Sequence, residues 1–474
     1  MTKKKSRHVV KAARGAAGWL RQHWLLTLVL MICAAVGISY RGWAPANPNW
    51  NVALEYPTKG MHADLKRSDF SSATVCGACH QTHYKQWVES GMGRSSATSQ
   101  FLVELYQVGL DVRGAPAEDV EQCLRCHAPL ATIGTPQDLG MAEAISQEGI
   151  TCDVCHTAIA AAANDAPGMI AWDPQGPKRG PLPGDDDPEL PGLPRAKSPH
   201  HKTKQSPLHK SSELCGACHM SLWPTNSLPI DWTYAEWKRS PYADRGVSCQ
   251  DCHMPTYKGF AAPGAPRRTL HDHSFKGGGD LELVQGTAEL RIHSEAHFAG
   301  LEIEVEVENT KSAHAFPTGN ATAPVVKLRV NALDDDDNLV WSDFRDYRLI
   351  YVDVHGEVTS DPTAAVKIKS DTTLQPLQPV QERFFIPHAI GATQVEAVLV
   401  YQRWSDEILN NHAGMLWEMV SRYLAEGVRV HRFVVNLGSL DYAKLDAVRG
   451  DPEIIVATLR ADLPAKPTIP AEFR

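Results

Sequence analysis

Five times the chain writes Cys-x-x-Cys-His: Cys76-Gly-Ala-Cys79-His80, Cys123-Leu-Arg-Cys126-His127, Cys152-Asp-Val-Cys155-His156, Cys215-Gly-Ala-Cys218-His219 and Cys249-Gln-Asp-Cys252-His253. Two thiols three positions apart can bond to the two vinyl-derived carbons of one porphyrin. The imidazole that follows at once then reaches the iron on one face. With 11 Cys and 21 His in 474 residues, composition alone gives about 0.01 such pentapeptides, from 474 × (11/474)² × (21/474). Five copies therefore read as five covalently attached c-type haems, with His80, His127, His156, His219 and His253 as proximal iron ligands. Ten of the eleven cysteines are consumed, so no disulfide framework is left over. The competing readings fail on count. Zinc knuckles pair their Cys-x-x-Cys units and an odd number does not pair, whereas a redox dithiol uses one motif and needs no following histidine.

An iron that only carries electrons is closed by a second axial ligand, and the type of that ligand sets its potential. Sixteen histidines lie beyond the proximal five. His8 and His23 fall before an apolar run near the N-terminus. The remaining fourteen are enough for every haem, but spacing alone does not assign them.

Several segments carry a further signal. They include Cys76 through Ser90-Gly-Met92-Gly-Arg94, Glu148-Gly-Ile-Thr-Cys152-Asp-Val-Cys155-His156, and Ser198-Pro-His-His201 with Ser206-Pro-Leu-His209-Lys-Ser-Ser-Glu-Leu-Cys215. Gly246-Val-Ser-Cys249-Gln-Asp-Cys252-His253-Met-Pro255, His271-Asp-His273-Ser-Phe275 and Asn309-Thr-Lys-Ser-Ala-His314-Ala-Phe-Pro317-Thr-Gly319 complete them. Together they resemble the multihaem cytochrome c family typified by the tetrahaem cytochrome that accepts electrons from hydroxylamine oxidoreductase, and above all its larger relatives with an added C-terminal β-domain. The attachment motifs carry haem and not family; the last two segments are the more specific. The resemblance implies distal ligands at His201, His209, His273 and His314, and at position 92, where many relatives have histidine and this chain has Met92. A thioether there would raise that haem's potential above a bis-histidine neighbour. The alternatives are Met92 as a packing residue with His62 or His83 serving instead, His200 in place of His201, and His271 in place of His273. His293, His297, His355, His388, His412 and His431 read as surface or core histidines.

The elements that must hold these groups divide the chain. Residues 1–23 carry seven basic residues and no acid, ahead of the 17 uncharged residues Trp24 to Tyr40. The run sits at the short end for a spanning helix, with aromatic residues at both rims and the basic side cytoplasmic. A signal peptide cleaved near Ala44-Pro-Ala46 competes with an uncleaved signal anchor, which the long basic lead favours. Either puts the body across the cytoplasmic membrane in the periplasm. Cys33, inside the run, reads as a small apolar side chain. Residues 41–70 form a Pro/Asn stalk, part of a pentahaem domain over 41–280. Within it Tyr84-x-x-Trp87-x-x-Ser90 follows the first motif and Tyr234-x-x-Trp237-x-x-Ser240 the fourth, and the third and fifth motifs each follow a glycine, Gly149 and Gly246. This reads as an internal repeat: an opening haem, a Tyr/Trp helix, and a closing haem after a glycine turn. Ala158 to Ala163 reads as the end of a helix, and the Pro/Gly-rich stretch from Asn164 as a covering loop.

From about residue 281 the period changes to two. Leu301-Glu-Ile-Glu-Val-Glu-Val-Glu308 alternates without fault, and further short strand patterns follow to Val395–Arg403. These predict an antiparallel, immunoglobulin-like sandwich over 281–440 with a helix inserted from Ser405, then a tail over 441–474. Asp334 to Asn338 reads as a charged hairpin turn. The fold class is α+β: an N-terminal membrane helix, a haem-packed and largely irregular domain, and the sandwich. No catalytic triad, phosphate loop or carboxylate pair stands out in the C-terminal half. A net charge of −8 argues against nucleic acid as a partner and would steer basic redox partners at low salt. The function expected is electron transfer between a quinol or dehydrogenase donor and a downstream acceptor. The rival is an enzyme with one open haem acting on nitrite or hydroxylamine. Pentahaem nitrite reductases replace the histidine of one motif by lysine, and all five motifs here end in histidine.

Overall fold

The computed structural model describes residues 64–96, 117–134, 143–161, 170–184, 187–188, 194–223, 226–360, 364–405 and 453–466. The apolar run Trp24 to Tyr40, the stalk up to residue 63, and the inserted helix expected after Ser405 with the strand Val428 to Val435 lie outside them. No helix among the described residues is long and apolar enough to cross a membrane.

The first part is built from helices of one to three turns: α1 (Ala73–Gly77), α2 (Gln81–Val88), α3 (Ala117–His127) and α4 (Cys152–His156). After strands β1 (Ala158–Ala161), β2 (Ile170–Trp172), β3 (Lys178–Gly180) and β4 (Thr203–Gln205) comes α5 (Glu213–Gly216). Then follow β5 (Ser221–Leu222), β6 (Pro229–Asp231), α6 (Thr233–Lys238), α7 (Pro241–Asp244), α8 (Cys249–His253), β7 (Thr256–Phe260), β8 (Arg267–His271) and α9 (Leu281–Val284). Helices this short are not stable alone. Side chains fix their ends. The Glu148 carboxylate accepts from the Ser72 hydroxyl, from Ala73 N at 2.8 Å and from the Thr151 hydroxyl at 2.7 Å, tying the start of α1 to the start of α4. In the second half Ser212 Oγ accepts from Cys249 N at 3.1 Å and Gln250 Nε2 donates to Ser211 O at 2.9 Å, tying α5 to α8.

The internal repeat is visible in three matched features. Tyr84 and Trp87 meet at a tilt with 5.7 Å between centroids, Tyr234 and Trp237 at 5.4 Å. Trp87 Nε1 donates to Ile150 O at 2.7 Å and Trp237 Nε1 to Val247 O at 2.8 Å. Each acceptor directly follows a glycine with positive φ, Gly149 at 68° and Gly246 at 76°. The Tyr/Trp helix thus docks onto the turn that launches the closing motif.

One local expectation is corrected. Ala158 to Ala161 is a strand and not a helix end; it pairs antiparallel with Ile170–Trp172. Alanine favours helix intrinsically, but Trp172 Nε1 donates to Val154 O at 2.8 Å and Asp173 N to Thr157 O at 2.9 Å. These tertiary bonds override propensity. The proline-rich stretch that follows carries only short pairing, with β3 beside β4 in parallel.

The second part holds β9 (Ala288–Ala296), β10 (Gly300–Asn309), β11 (Val325–Leu333), β12 (Leu339–Tyr347), β13 (Leu349–Val352), β14 (Val358–Thr359), β15 (Lys367–Asp371), β16 (Val380–Pro387), β17 (Gln394–Gln402) and β18 (Ile454–Asp462). One sheet runs β16-β10-β9 and another β12-β11-β17-β18, both antiparallel. Leu301, Ile303, Val305 and Val307 of β10 form one core with Val326, Leu328 and Val330 of β11 and Val395, Ala397 and Leu399 of β17. The intervening glutamates face out, where Glu304 and Glu308 pair with Arg383 and Arg291 at 3.1 Å each. The Asp334 to Asn338 run is the β11–β12 hairpin, closed by Asp334 Oδ1 accepting from Asp336 N and Asn338 N at 2.9 Å. The C-terminal stretch expected as a partly extended tail supplies β18, an edge strand on β17. The fold class is α+β.

Candidate functional site

A cavity of about 2160 Å³ runs through the helical part and is lined by side chains of all five Cys-x-x-Cys-His motifs. That is at least twice the 300–1,000 Å³ usual for a single small-ligand site. The thiols are close neighbours. Cys76 and Cys152 are in hydrogen-bonding contact, as are Cys215 and Cys249, and the same first cysteines meet in both halves of the repeat. Cys126 meets Cys218, whose carbonyl lies 4.0 Å from Cys126 Sγ. The fourth motif therefore touches the second and the fifth, and Cys155 of the third is close enough to act electrostatically on both of its thiols.

Every motif histidine has Nδ1 engaged. His80 donates to Ala261 O at 2.8 Å, His127 to Ser95 O at 3.0 Å, His156 to Arg179 O at 2.6 Å and His253 to Lys276 O. His219 donates to a carboxylate, Asp231 Oδ2, at 2.9 Å. A proton on Nδ1 leaves the lone pair on Nε2, the tautomer a metal needs.

Imidazoles on either side of one metal, each at a nitrogen–metal distance of about 2.0 Å, put their ring centroids roughly 6 Å apart. All four expected distal histidines stand near that spacing from a motif histidine, and His83 stands 6.1 Å from His80 as well. His201 lies 6.2 Å from His80, His209 lies 5.5 Å from His156 at 22°, and His314 lies 6.2 Å from His253 at 15°. His273 lies 6.2 Å from His156, so His156 has two candidate partners. His273 also meets His83 edge-on at 4.7 Å, too close for a shared metal. His271 turns its Nδ1 to Met254 O at 3.0 Å. Met92 lines the cavity, and its carbonyl accepts from Ile150 N at 3.1 Å and Ser95 Oγ at 3.0 Å. Ser95 is the residue whose own carbonyl holds His127. Met92 thus belongs to a loop tied both to Ile150, just before the third motif, and to the residue that holds His127. Among the described residues, ring pairs at this spacing involve His80, His156 and His253, and none involves His219.

The donor set fits c-type haem. His209 Nε2 donates to Cys155 O at 2.9 Å while its Nδ1 is buried with no hydrogen-bond partner, an orphan that an iron would satisfy. Burial pushes His83, His209 and His314 down to about 4 and His273 to about 3. These imidazoles stay neutral at pH 7, the form that ligates. His219 goes the other way. Burial opposes its charge, but the Asp231 carboxylate outweighs burial by charge and hydrogen bond and lifts it to about 9. Its ring keeps 45% of its surface open, and that surface lines the cavity.

Sequence reasoning missed the Nδ1 acceptors. Four are backbone carbonyls, which carry no residue signal. The fifth, Asp231, lies twelve positions after His219 with nothing in its spacing to mark it.

The family model for cytochrome c554 and c-prime matches residues 75–157, which hold the first three motifs. The fold is similar to the crystal structure of a penta-heme cytochrome c552 from Thermochromatium tepidum, with a TM-score of 0.57 and 21% identity over 83% of this chain and 99% of that one. No curated protein matches. The match to the family model supports a multihaem cytochrome c with covalently bound haem and a general role in electron transfer.

Proposed function

We propose that the chain is a membrane-anchored periplasmic pentahaem c-type cytochrome that carries electrons between a quinol or dehydrogenase donor and a downstream acceptor. The observation that carries this reading is a single cavity lined by all five motifs, with His201, His209 and His314 facing motif histidines at iron-sharing distance. When bound, each haem supplies a one-electron iron couple. The chain's own part is to hold it: thioethers at Cys76/Cys79, Cys123/Cys126, Cys152/Cys155, Cys215/Cys218 and Cys249/Cys252, and proximal nitrogen from the histidine that ends each motif. Distal ligation falls to Met92, His201, His209, His273 and His314. Cysteines of different motifs lie side by side, so haems attached there would be held as neighbours, which is what a wire requires.

The strand order, three strands in β9, β10 and β16 against four in β12, β11, β17 and β18, supports immunoglobulin-like connectivity for the second part. The anchor rests on the N-terminal basic lead and the apolar run Trp24 to Tyr40. The partners are redox proteins, on the donor side a quinol-oxidising enzyme or a dehydrogenase.

A haem count and a carbon monoxide difference spectrum on the dithionite-reduced protein test the reading. Five haems per chain and no carbon monoxide shift is the outcome for a pure carrier. A shift worth one haem in five favours a second reading, a redox enzyme acting on nitrite or hydroxylamine. The absence of a facing ring at His219 among the described residues is what keeps that reading alive, and turnover of those two compounds decides it.

A further inference from the structure

The five motif histidines are not equivalent. Four give Nδ1–H to a peptide carbonyl, a neutral acceptor, and His219 alone gives it to a carboxylate. Asp231 ends β6, which pairs with β5 just after the fourth motif, so the hairpin returns the carboxylate to the histidine. Its other oxygen accepts from Thr233 N at 2.9 Å, and its side chain is 15% exposed. Among the described residues His219 is its only ion-pair partner. Nearby, Thr233 Oγ1 meets Thr318 Oγ1 at 2.9 Å, and Thr318 Oγ1 donates to Glu236 Oε2 at 2.7 Å, so the surroundings are hydroxyls and a second carboxyl rather than a cation.

A hydrogen bond to an ionised acceptor is roughly twice as strong as one to a neutral acceptor. It draws the proton away from Nδ1 and makes the imidazole a stronger donor through Nε2. A stronger axial donor, with a negative charge behind it, favours the oxidised iron. The fourth motif is also where three others meet, through Cys126, Cys249 and Cys155.

We propose that Asp231 is a positioning residue that acts through His219 to make the haem of Cys215 and Cys218 the least readily reduced of the five, at the junction of the others. This rests on the pentahaem reading above. The test is a spectroelectrochemical titration of the purified protein and its Asp231→Asn variant, each after a pyridine haemochrome count. Asparagine keeps the shape and an acceptor oxygen and removes the charge. The couple that titrates lowest in the wild type should rise in the variant. Its reduced-to-oxidised ratio at the wild-type midpoint should increase at least tenfold, which is 59 mV for a one-electron couple. The other four should stay in place, and Asp231→Glu should bring the low couple back. Five haems with no couple moved tenfold, or with all five moved together, overturns the proposal and leaves the pentahaem reading standing. A wild-type count below five overturns that reading instead. If the asparagine variant does not load haem, the electron paramagnetic resonance spectrum of the oxidised wild type decides: one ferric centre with stronger axial donation than the rest supports the proposal, and five alike overturn it.

Discussion

Replacing His314 with glycine tests the join between the cavity and the sandwich. The imidazole stands 6.2 Å from His253 with its plane 15° away, and its Nδ1 is shared between Ala315 O at 2.8 Å and Ser312 Oγ at 2.9 Å. Deleting it removes two hydrogen bonds worth about 0.5–1.5 kcal/mol each, and glycine adds about 0.5–1 kcal/mol of backbone entropy. The fold therefore loses about 1.5–4 kcal/mol, which a domain of about 5–15 kcal/mol survives. Haem attachment needs only Cys249 and Cys252, so His314→Gly should still carry five haems. One iron loses its sixth ligand. Carbon monoxide binding on the reduced protein should rise above the wild type by one haem in five, and added imidazole should compete it away through the space glycine leaves. A variant with five haems and no gain in carbon monoxide binding, or a gain of more than one haem, refutes the pairing of His253 with His314.

Other consequences are as direct. Burial, helped by the Asp231 and Asp371 carboxylates, raises the Glu236 carboxyl to about 8. A raised carboxyl holds its proton longer in the folded state, so the wild type should lose stability as pH rises from about 4.3 through 8. Glu236→Gln should flatten that slope in denaturant titrations across the same window. Gly149 and Gly246 share a positive φ, but a Cβ at Gly149 would meet Ser95 Oγ at 2.5 Å and Met92 O at 2.8 Å, whereas one at Gly246 meets nothing within 4 Å. Gly246→Ala should cost about 1–2 kcal/mol of strain. Gly149→Ala should cost clearly more by thermal denaturation and disturb the spectrum of the second haem through Ser95. Lys178 holds the nearly fully buried Asp153 at 2.7 Å. Lys178→Met should cost about 1–3 kcal/mol in guanidinium unfolding, less than a fully buried pair because Lys178 is partly exposed.

Spacing alone carried the five motifs, because haem attachment is local chemistry: two thiols and an imidazole within five residues. The strand Leu301 to Glu308 was equally legible, since period two is set by the pleat itself. The Tyr/Trp repeat was readable as a pattern, but its purpose was not. The indole bonds to Ile150 and Val247 cross 63 and 10 residues, and nothing local announces them. Distal ligands sit between these extremes. His201, His209 and His314 come from turns far along the chain, and their facing partners are a product of packing. Met92 follows the first motif in sequence, yet its carbonyl bonds Ile150 N and Ser95 Oγ, next to the third motif and the residue that holds His127. Ala158 to Ala161 was misread because alanine propensity is a weak force next to a Trp172 anchor.

His314 is supplied by the turn after β10, where Asn309 Nδ2 donates to His314 O and Leu374 O, and Phe316 exchanges backbone bonds with Leu374. That turn takes shape only once Leu374 has been synthesised and brought back to it, and the sheet behind it is finished only by Ile454–Asp462. On the proposed pairing, haem attachment would need the chain only as far as His253, whereas closing the last centre would need His314 and the turn that Leu374 completes. A product cut short between the two would then carry its haems and lack the sixth ligand at the last of them.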